Sequence, residues 1–156
     1  MQLTPWQRLR TRIYLFGVAV RRRMTLGVRV AMIDGDRVFL IRQTYSPGWQ
    51  LPGGGVEPAE TAETAAAREM LEETGYRPTA PMPLFGFYHN VNVATNRDHV
   101  ALYVCSEVEM VRPFKRNGEI AEAGWFTITG LPDETTPGTQ RRIDEIFHGA
   151  PLSANW

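Results

Sequence analysis

The sequence predicts an α/β sandwich with a mixed β-sheet. Two observations point there. Apolar, β-branched runs of strand length recur along the chain, at 24–33, 37–44, 82–93, 96–110 and 118–128. Segments of helical periodicity at 60–74 and 139–149 are set among and after them, so strands alternate with helices instead of standing in one block. A third observation, length, sets the scale: 156 residues suit one domain with a core of its own. Hydrophobic content of 43% and charged content of 22% fit a soluble globular chain.

Residues 1–24 stand apart. Trp6, Leu9, Ile13, Phe16 and Val20 recur at alternating spacings of three and four, one face of an amphipathic helix. Residues 1–33 carry seven arginines and no acid, which leaves ten basic residues against all 17 acids in the remainder. The apolar run "IYLFGVAV" is too short to span a bilayer and ends in "RRR" without a small-residue cleavage site, so secretion is not expected. Two roles suit residues 6–23: packing on the body or on a second copy as a homodimer, or lying on an anionic membrane surface. No stable nucleic-acid partner is expected. The single cysteine, Cys105, allows no internal disulfide and makes a reducing cytoplasm the default; it reads as a buried strand residue.

The body spans 25–149. "MTLGVRVAMI" and "RVFLIRQT" read as a hairpin joined at "DGD". "YSPGWQLPGGG" (45–55) is loop or broken strand. "ETAETAAAREMLEET" (60–74) is a helix without internal Gly or Pro, with Thr61 as N-cap and Gly75 as stop. "MPLFGFYHNVNV" reads as one or two strands, and "NRDHVALYVCSEVEM" opens as a turn and continues as a strand. His89 and His99 stand on either side of that turn and are expected to face each other across a hairpin. "GEIAEAGWFTI" supplies a further strand with Trp125 in the core. "TQRRIDEIFHG" (139–149) closes the body as a helix with Ile143, Ile146 and Phe147 on one face. Residues 150–156 form a tail with no readable element.

Chemistry concentrates in the first of these helices. At about 100° per residue, Glu69, Glu72 and Glu73 share one face about 100° wide. Ala62, Ala65 and Ala66 fall on that side, leaving room for an approaching ligand, while Ala67, Met70 and Leu71 are left to face the core. Like charges at this spacing repel by about 0.2–0.5 kcal/mol per pair. A solvated acidic face is the ordinary explanation for helical glutamates. Here no lysines at i+4 balance them, and a glycine-rich loop, "LPGGGVEP", feeds the helix. Clustered hard oxygens beside an open loop suit Mg²⁺ or Mn²⁺, which turns repulsion into coordination.

Residues 54–76, "GGVEPAETAETAAAREMLEETGY", resemble the Nudix box, G-x5-E-x7-R-E-U-x-E-E-x-G-U, with U a bulky aliphatic residue. Gly54, Glu60, Arg68, Glu69, Met70, Glu72, Glu73 and Gly75 match in register. Tyr76 departs at the last, packing position. "GWQLPGG" before the box and "EIAEAGWF" after it are similar to the family too. The resemblance covers most of 25–149.

It implies a Nudix-type α/β/α sandwich with a loop-helix-loop at the box. It further implies metal ligation by Glu69, Glu72 and Glu73, joined by the Gly53 carbonyl, with Gly54 and Gly75 shaping the box. Arg68 and Glu60 are expected to form an ion pair bracing loop against helix. A glutamate outside the box completes the site or acts as base; Glu119 is the first candidate and Glu122 the second. The implied reaction is Mg²⁺-dependent hydrolysis of a nucleoside diphosphate linked to another group, with Glu69 or Glu119 as general base. A catalytically silent nucleotide-binding module is the alternative, although such modules tend to lose box glutamates and none is lost here. An isomerase of the same fold would need a reactive cysteine, for which Cys105 is badly placed. Tyr45 and Trp49 flank the "SPG" turn and are candidates to stack on a nucleobase, Trp49 having a core role as its competing reading. Arg97 is a candidate phosphate contact, against a solvated loop arginine.

Overall fold

A computed structural model of the chain describes residues 24–91 and 96–156, together with Trp6, Arg10, Ile13, Tyr14 and Gly17. The amphipathic helix expected over 6–23, with its dimer or lipid contact, otherwise lies outside the described residues. No helix among the described residues is long and apolar enough to cross a membrane.

The hairpin expected at the start of the body is present. β1 (Thr25–Asp34) and β2 (Arg37–Gln43) run antiparallel, pairing Ile33 with Val38 across a turn in which Gly35 has φ 61°. The short β3 (Trp49–Gln50) borders β2. After the box helix α1 (Ala62–Thr74) come β4 (Tyr76–Pro78), β5 (Leu84–Asn90), β6 (Asp98–Cys105), β7 (Val108–Met110) and β8 (Ile120–Thr127), and α2 (Pro137–His148) follows. The main sheet has the order β3-β2-β1-β6-β5, with β8 pairing β2. It is mixed because β1 runs parallel to β6, from Thr25 opposite Asp98 to Met32 opposite Cys105. β4 and β7 pair as a separate two-stranded ribbon that the sequence reading did not separate out.

Each face of the sheet carries a helix. Val28, Val30 and Met32 of β1 pack with Phe39 and Ile41 against Ala65, Ala66 and Met70 of α1. On the other side Ala31, Val38, Leu40, Leu51, Tyr88 and Leu102 pack against Ile143 of α2, with Ile146 and Phe147 at the margin. This α/β/α layering is the fold class expected from the sequence.

One expectation for α1 is corrected. Ala65 and Ala66 do not leave room for a ligand: both are fully buried against the sheet, and Leu71 is only partly buried. Small side chains instead let the helix sit close to the sheet. That close approach carries the adjacent glutamates down to the rim of the core.

The helix begins and ends as its caps dictate. Thr61 Oγ1 accepts from the Thr64 N–H at 3.1 Å, and Gly75 takes φ 81°, donating its N–H to Leu71. A side chain at Gly75 would also meet the Arg112 carbonyl at 2.2 Å. The unusual Tyr76 packs edge-on to Phe39 and Trp125, with centroids 5.6 and 6.0 Å away. His89 and His99 do oppose each other across β5 and β6, with rings 5.2 Å apart. Cys105 is buried, and that burial pushes its thiol up, away from nucleophile behaviour.

Candidate active site

The three glutamates of α1 lie at three depths. Glu72 is exposed, Glu69 lies on the shoulder, and Glu73 is only 4% exposed. The wheel places them on one face; the tight contact of α1 with the sheet ranks them. Glu73 Oε2 accepts from the Gly53 N–H at 2.6 Å, while its Oε1 is buried without a hydrogen-bond partner. Burial pushes Glu73 up to about 8; the Gly53 N–H and Arg29 pull against this, and the charges of Glu69 and Glu119 add to it. Glu69 is likewise raised, first by burial and further by Glu72 and Glu119, with Arg68 opposing.

Two glycines bring the loop onto these carboxylates. Gly53 has φ 146°, and a Cβ there would strike the Val28 carbonyl at 2.1 Å. A Cβ on Gly54 would fall 2.4–2.8 Å from the Glu69 carboxylate, so the space a side chain would take belongs to that group. Arg68 ties loop to helix. Its Nη2 donates to Glu60 Oε1 at 2.8 Å and to the Gly55 carbonyl at 3.1 Å, and its Nη1 donates to Glu69 Oε1 at 2.8 Å. The hydrogen bond from Arg68 is the main reason Glu60 is held below the usual carboxylate range.

Glu119 precedes β8 and comes to the same place. Its Oε1 accepts from the Tyr45 hydroxyl at 3.2 Å, and its charge is felt by Glu69 and Glu73. Glu122 does not join them: it is paired with Arg42 on the sheet surface. Tyr45 is therefore at the site through its hydroxyl, with the residue largely exposed and the phenol raised first by burial and then by Glu119 and Glu73. Trp49 is half-buried and packs edge-on to Phe126 at 4.8 Å beside the core facing α2. Arg97 stands before β6, its carbonyl accepting from Thr25 N.

A divalent cation fits this donor set. Its test is Glu73 Oε1, a hard oxygen buried without a partner beside a second desolvated carboxylate. Among the described residues no three His, Cys, Asp or Glu side chains converge on one point, and Glu69 is paired with Arg68 at 2.8 Å.

A model of the NUDIX domain matches residues 23–146. The chain belongs to the Nudix family. It is a Nudix hydrolase, an enzyme acting on phosphoric anhydride bonds. It is 31% identical over 121 residues to a putative 8-oxo-dGTP diphosphatase of Bacillus subtilis, covering 78% of each chain. It is 36% identical over 119 residues to a MutT-like protein of Streptomyces ambofaciens, covering 76% of this chain and 68% of the relative. Among solved structures, a NUDIX hydrolase from Nitrosomonas europaea aligns with TM-score 0.65 and 27% identity over 81% of this chain and 90% of that one.

Seen as a Nudix hydrolase, the chain has site residues that sequence reading passed over. Arg29 of β1 reaches beneath the box loop, its Nη1 donating to the carbonyls of Leu51 at 2.9 Å and Gly53 at 3.1 Å. The Gly53 carbonyl, an expected metal ligand, thus already accepts one hydrogen bond. Arg29 had been counted with the N-terminal basic segment; its place inside an apolar strand was the available signal. Arg112 and Lys115 were missed as well. With Glu72 and Glu73 they line a cleft of about 250 Å³, and Arg112 Nη2 donates to the Leu71 carbonyl at 3.3 Å.

Proposed function

We propose that this Nudix hydrolase is Mg²⁺- or Mn²⁺-dependent and cleaves the pyrophosphate bond of a nucleoside diphosphate linked to another group. The products are a nucleoside monophosphate and the phosphorylated group. The observation that carries the reading is the buried, unpartnered Oε1 of Glu73 beside Glu69 under a loop with no side chains in the way. An unpaired carboxylate so buried is costly unless a cation completes it.

Glu73, Glu69 and Glu72 would hold the cation, with the second lone pair of the Gly53 carbonyl in support. When bound, it supplies neutralisation of the diphosphate charge and a lowered pKa for an attacking water. The chain does the rest. Arg68 fixes Glu69 and the loop through Glu60 and Gly55. Arg112 and Lys115 attract the outgoing phosphate from across the cleft. Of the two candidate bases, Glu119 is favoured: Glu69 is already paired with Arg68, whereas Glu119 is exposed on its loop and oriented through one oxygen by Tyr45. A water oxygen bonds to phosphorus, the bridging P–O bond breaks, and Glu119 Oε2 takes the proton. No missing box glutamate favours the silent binding module. The lone buried Cys105 is consistent with a cytoplasmic location.

The test is a panel of nucleoside triphosphates, nucleotide sugars and dinucleoside polyphosphates incubated with Mg²⁺, with Mn²⁺ or with chelator, following monophosphate release. Cation-dependent release from at least one nucleotide is expected. Release unaffected by chelator would refute the metal assignment, and nucleotide binding without release would restore the silent module.

A further inference from the structure

β5, the last strand of the main sheet, carries a side-chain pair that the carboxylate site does not use. His89 of β5 stands opposite His99 of β6, with ring centroids 5.2 Å apart. Tyr88 and Leu102 point into the core facing α2, so strand alternation sends both histidines to the other face of the sheet. They lie beyond Phe87 and Ala101, the next cross-strand pair on that face. The histidine pair is of the closer, non-hydrogen-bonded kind. His89 N donates to the Ala154 carbonyl at 2.9 Å, and the His89 carbonyl accepts from Trp156 N at 3.0 Å, so neither main-chain group is turned to β6. The segment 150–156, unreadable in the sequence, is fastened along β5 from α2. Arg142 donates to the Asn155 carbonyl at 3.0 Å, and Glu145 accepts from Ser153 N at 2.9 Å.

Each ring is held so that one nitrogen is left over. His89 Nε2 lies 3.1 Å from the Asn96 carbonyl. A carbonyl only accepts, so Nε2 carries the proton and Nδ1 of the neutral ring keeps its lone pair. Metal-binding histidines are oriented in this way, by giving the other ring N–H to a carbonyl or carboxylate. The His99 ring is stacked on Phe87, with centroids 5.4 Å apart and planes 19° from parallel. Stacking occupies a ring face and leaves the nitrogens unsatisfied. His99 Nδ1 is buried without a hydrogen-bond partner, an uncommon state for a buried polar atom. The spacing suits a shared ion. Two imidazoles on one tetrahedral Zn²⁺, with Zn–N of about 2.0–2.1 Å, have centroids about 5 Å apart. Among the described residues no third His, Cys, Asp or Glu joins the pair.

We propose that His89 and His99 form a second cation site, separate from the carboxylates of α1, for an imidazole-seeking divalent ion such as Zn²⁺. The two sites differ in chemistry as well as in place. Hard oxygens suit Mg²⁺ and Mn²⁺, whereas imidazole suits Zn²⁺, Cu²⁺ and Ni²⁺. An ion between the rings ties β5 to β6 and gives His99 Nδ1 the partner it lacks. Two protein donors leave the other positions of the ion to water, so the site is open and exchangeable instead of a closed structural centre. The inference stands apart from any turnover of nucleotide.

Calorimetric titration of the untagged full chain with Zn²⁺ in excess Mg²⁺ tests it. Mg²⁺ loads the carboxylates of α1, and Glu73→Gln removes their contribution where Zn²⁺ competes for them. A single Zn²⁺ is expected to bind in Glu73→Gln as in wild type. His89→Gln keeps an amide donor for the Asn96 carbonyl but loses the ring nitrogen. It should weaken Zn²⁺ binding by at least about tenfold, since loss of even an outer partner of a metal ligand costs that much. His99→Gln should do the same, and His148→Gln, at the third histidine of the chain, should change nothing. Should the half-buried His99 not tolerate replacement, His89→Gln carries the test. Wild-type Zn²⁺ affinity in His89→Gln, or Zn²⁺ binding abolished by Glu73→Gln alone, would overturn the proposal.

Discussion

Glu73 is the residue on which sequence and structure put most weight. Its carboxyl is raised to about 8, so the metal-free folded state holds a proton that the unfolded chain has lost above about 4.5. The sign follows. Stability from this group is fully present below about pH 4.5 and is lost as pH rises through about 8. Melting scans in chelator should therefore fall between pH 5.5 and 8.5 in wild type by the equivalent of a few kcal/mol at most, and Glu73→Gln should flatten that slope. Added Mg²⁺ should lift the wild-type melting temperature at the alkaline end and leave Glu73→Gln unmoved. An unchanged slope in the variant would place the titration elsewhere. Gly54→Ala makes a separate residue-scale prediction. The three atoms nearest its Cβ all belong to the flexible end of Glu69, at 2.4–2.8 Å, so the carboxylate must swing away. Activity should drop at least about tenfold with little change in melting temperature; full activity would show that Glu69 need not stay where it is.

At the scale of elements, the box was legible because its demands are local. Thr61 caps, Gly75 stops, and the register of Glu69, Glu72 and Glu73 follows from helical period alone. Gly75→Ala combines a positive φ with a clash at the Arg112 carbonyl and should cost more than about 1 kcal/mol by chemical denaturation, against about 1 kcal/mol for Thr61→Ala. What was not legible depends on partners distant in sequence. Whether Ala65 and Ala66 face ligand or sheet depends on the strands beneath them. Arg29 gains its role only because the box loop folds back over β1, where Val28 N and Val30 N bond the carbonyls of Gly54 and Pro52. Trp49 had two readings in the sequence, and its edge-on contact with Phe126, a partner distant in the chain, favours packing. Glu119 and Glu122 were equally acidic near "WF", and the pairing of β2 with β8 separates them by bringing Glu122 to Arg42.

At the scale of the whole molecule, the two helices carry different tasks across one sheet. α1 presents the carboxylates. α2 holds the last residues of the sequence through Arg142 and Glu145, a buried pair with side chains 0% and 3% exposed. Removing one partner strands the other's charge, so Arg142→Met should destabilise by about 3–5 kcal/mol in urea titration. A cost under about 1 kcal/mol would mean that the pair does not anchor the segment. On the proposed reading, the acidity of the body is no obstacle to an anionic substrate: a bound cation would offset the grouped carboxylates, and Arg29, Arg112 and Lys115 lie near them. The most direct check of that account is the Mg²⁺-dependent turnover number of Glu73→Gln on the best nucleotide substrate, with folding verified by its melting curve. A fall of about 10²–10⁴-fold in a folded protein is expected. Wild-type turnover in folded Glu73→Gln would contradict it.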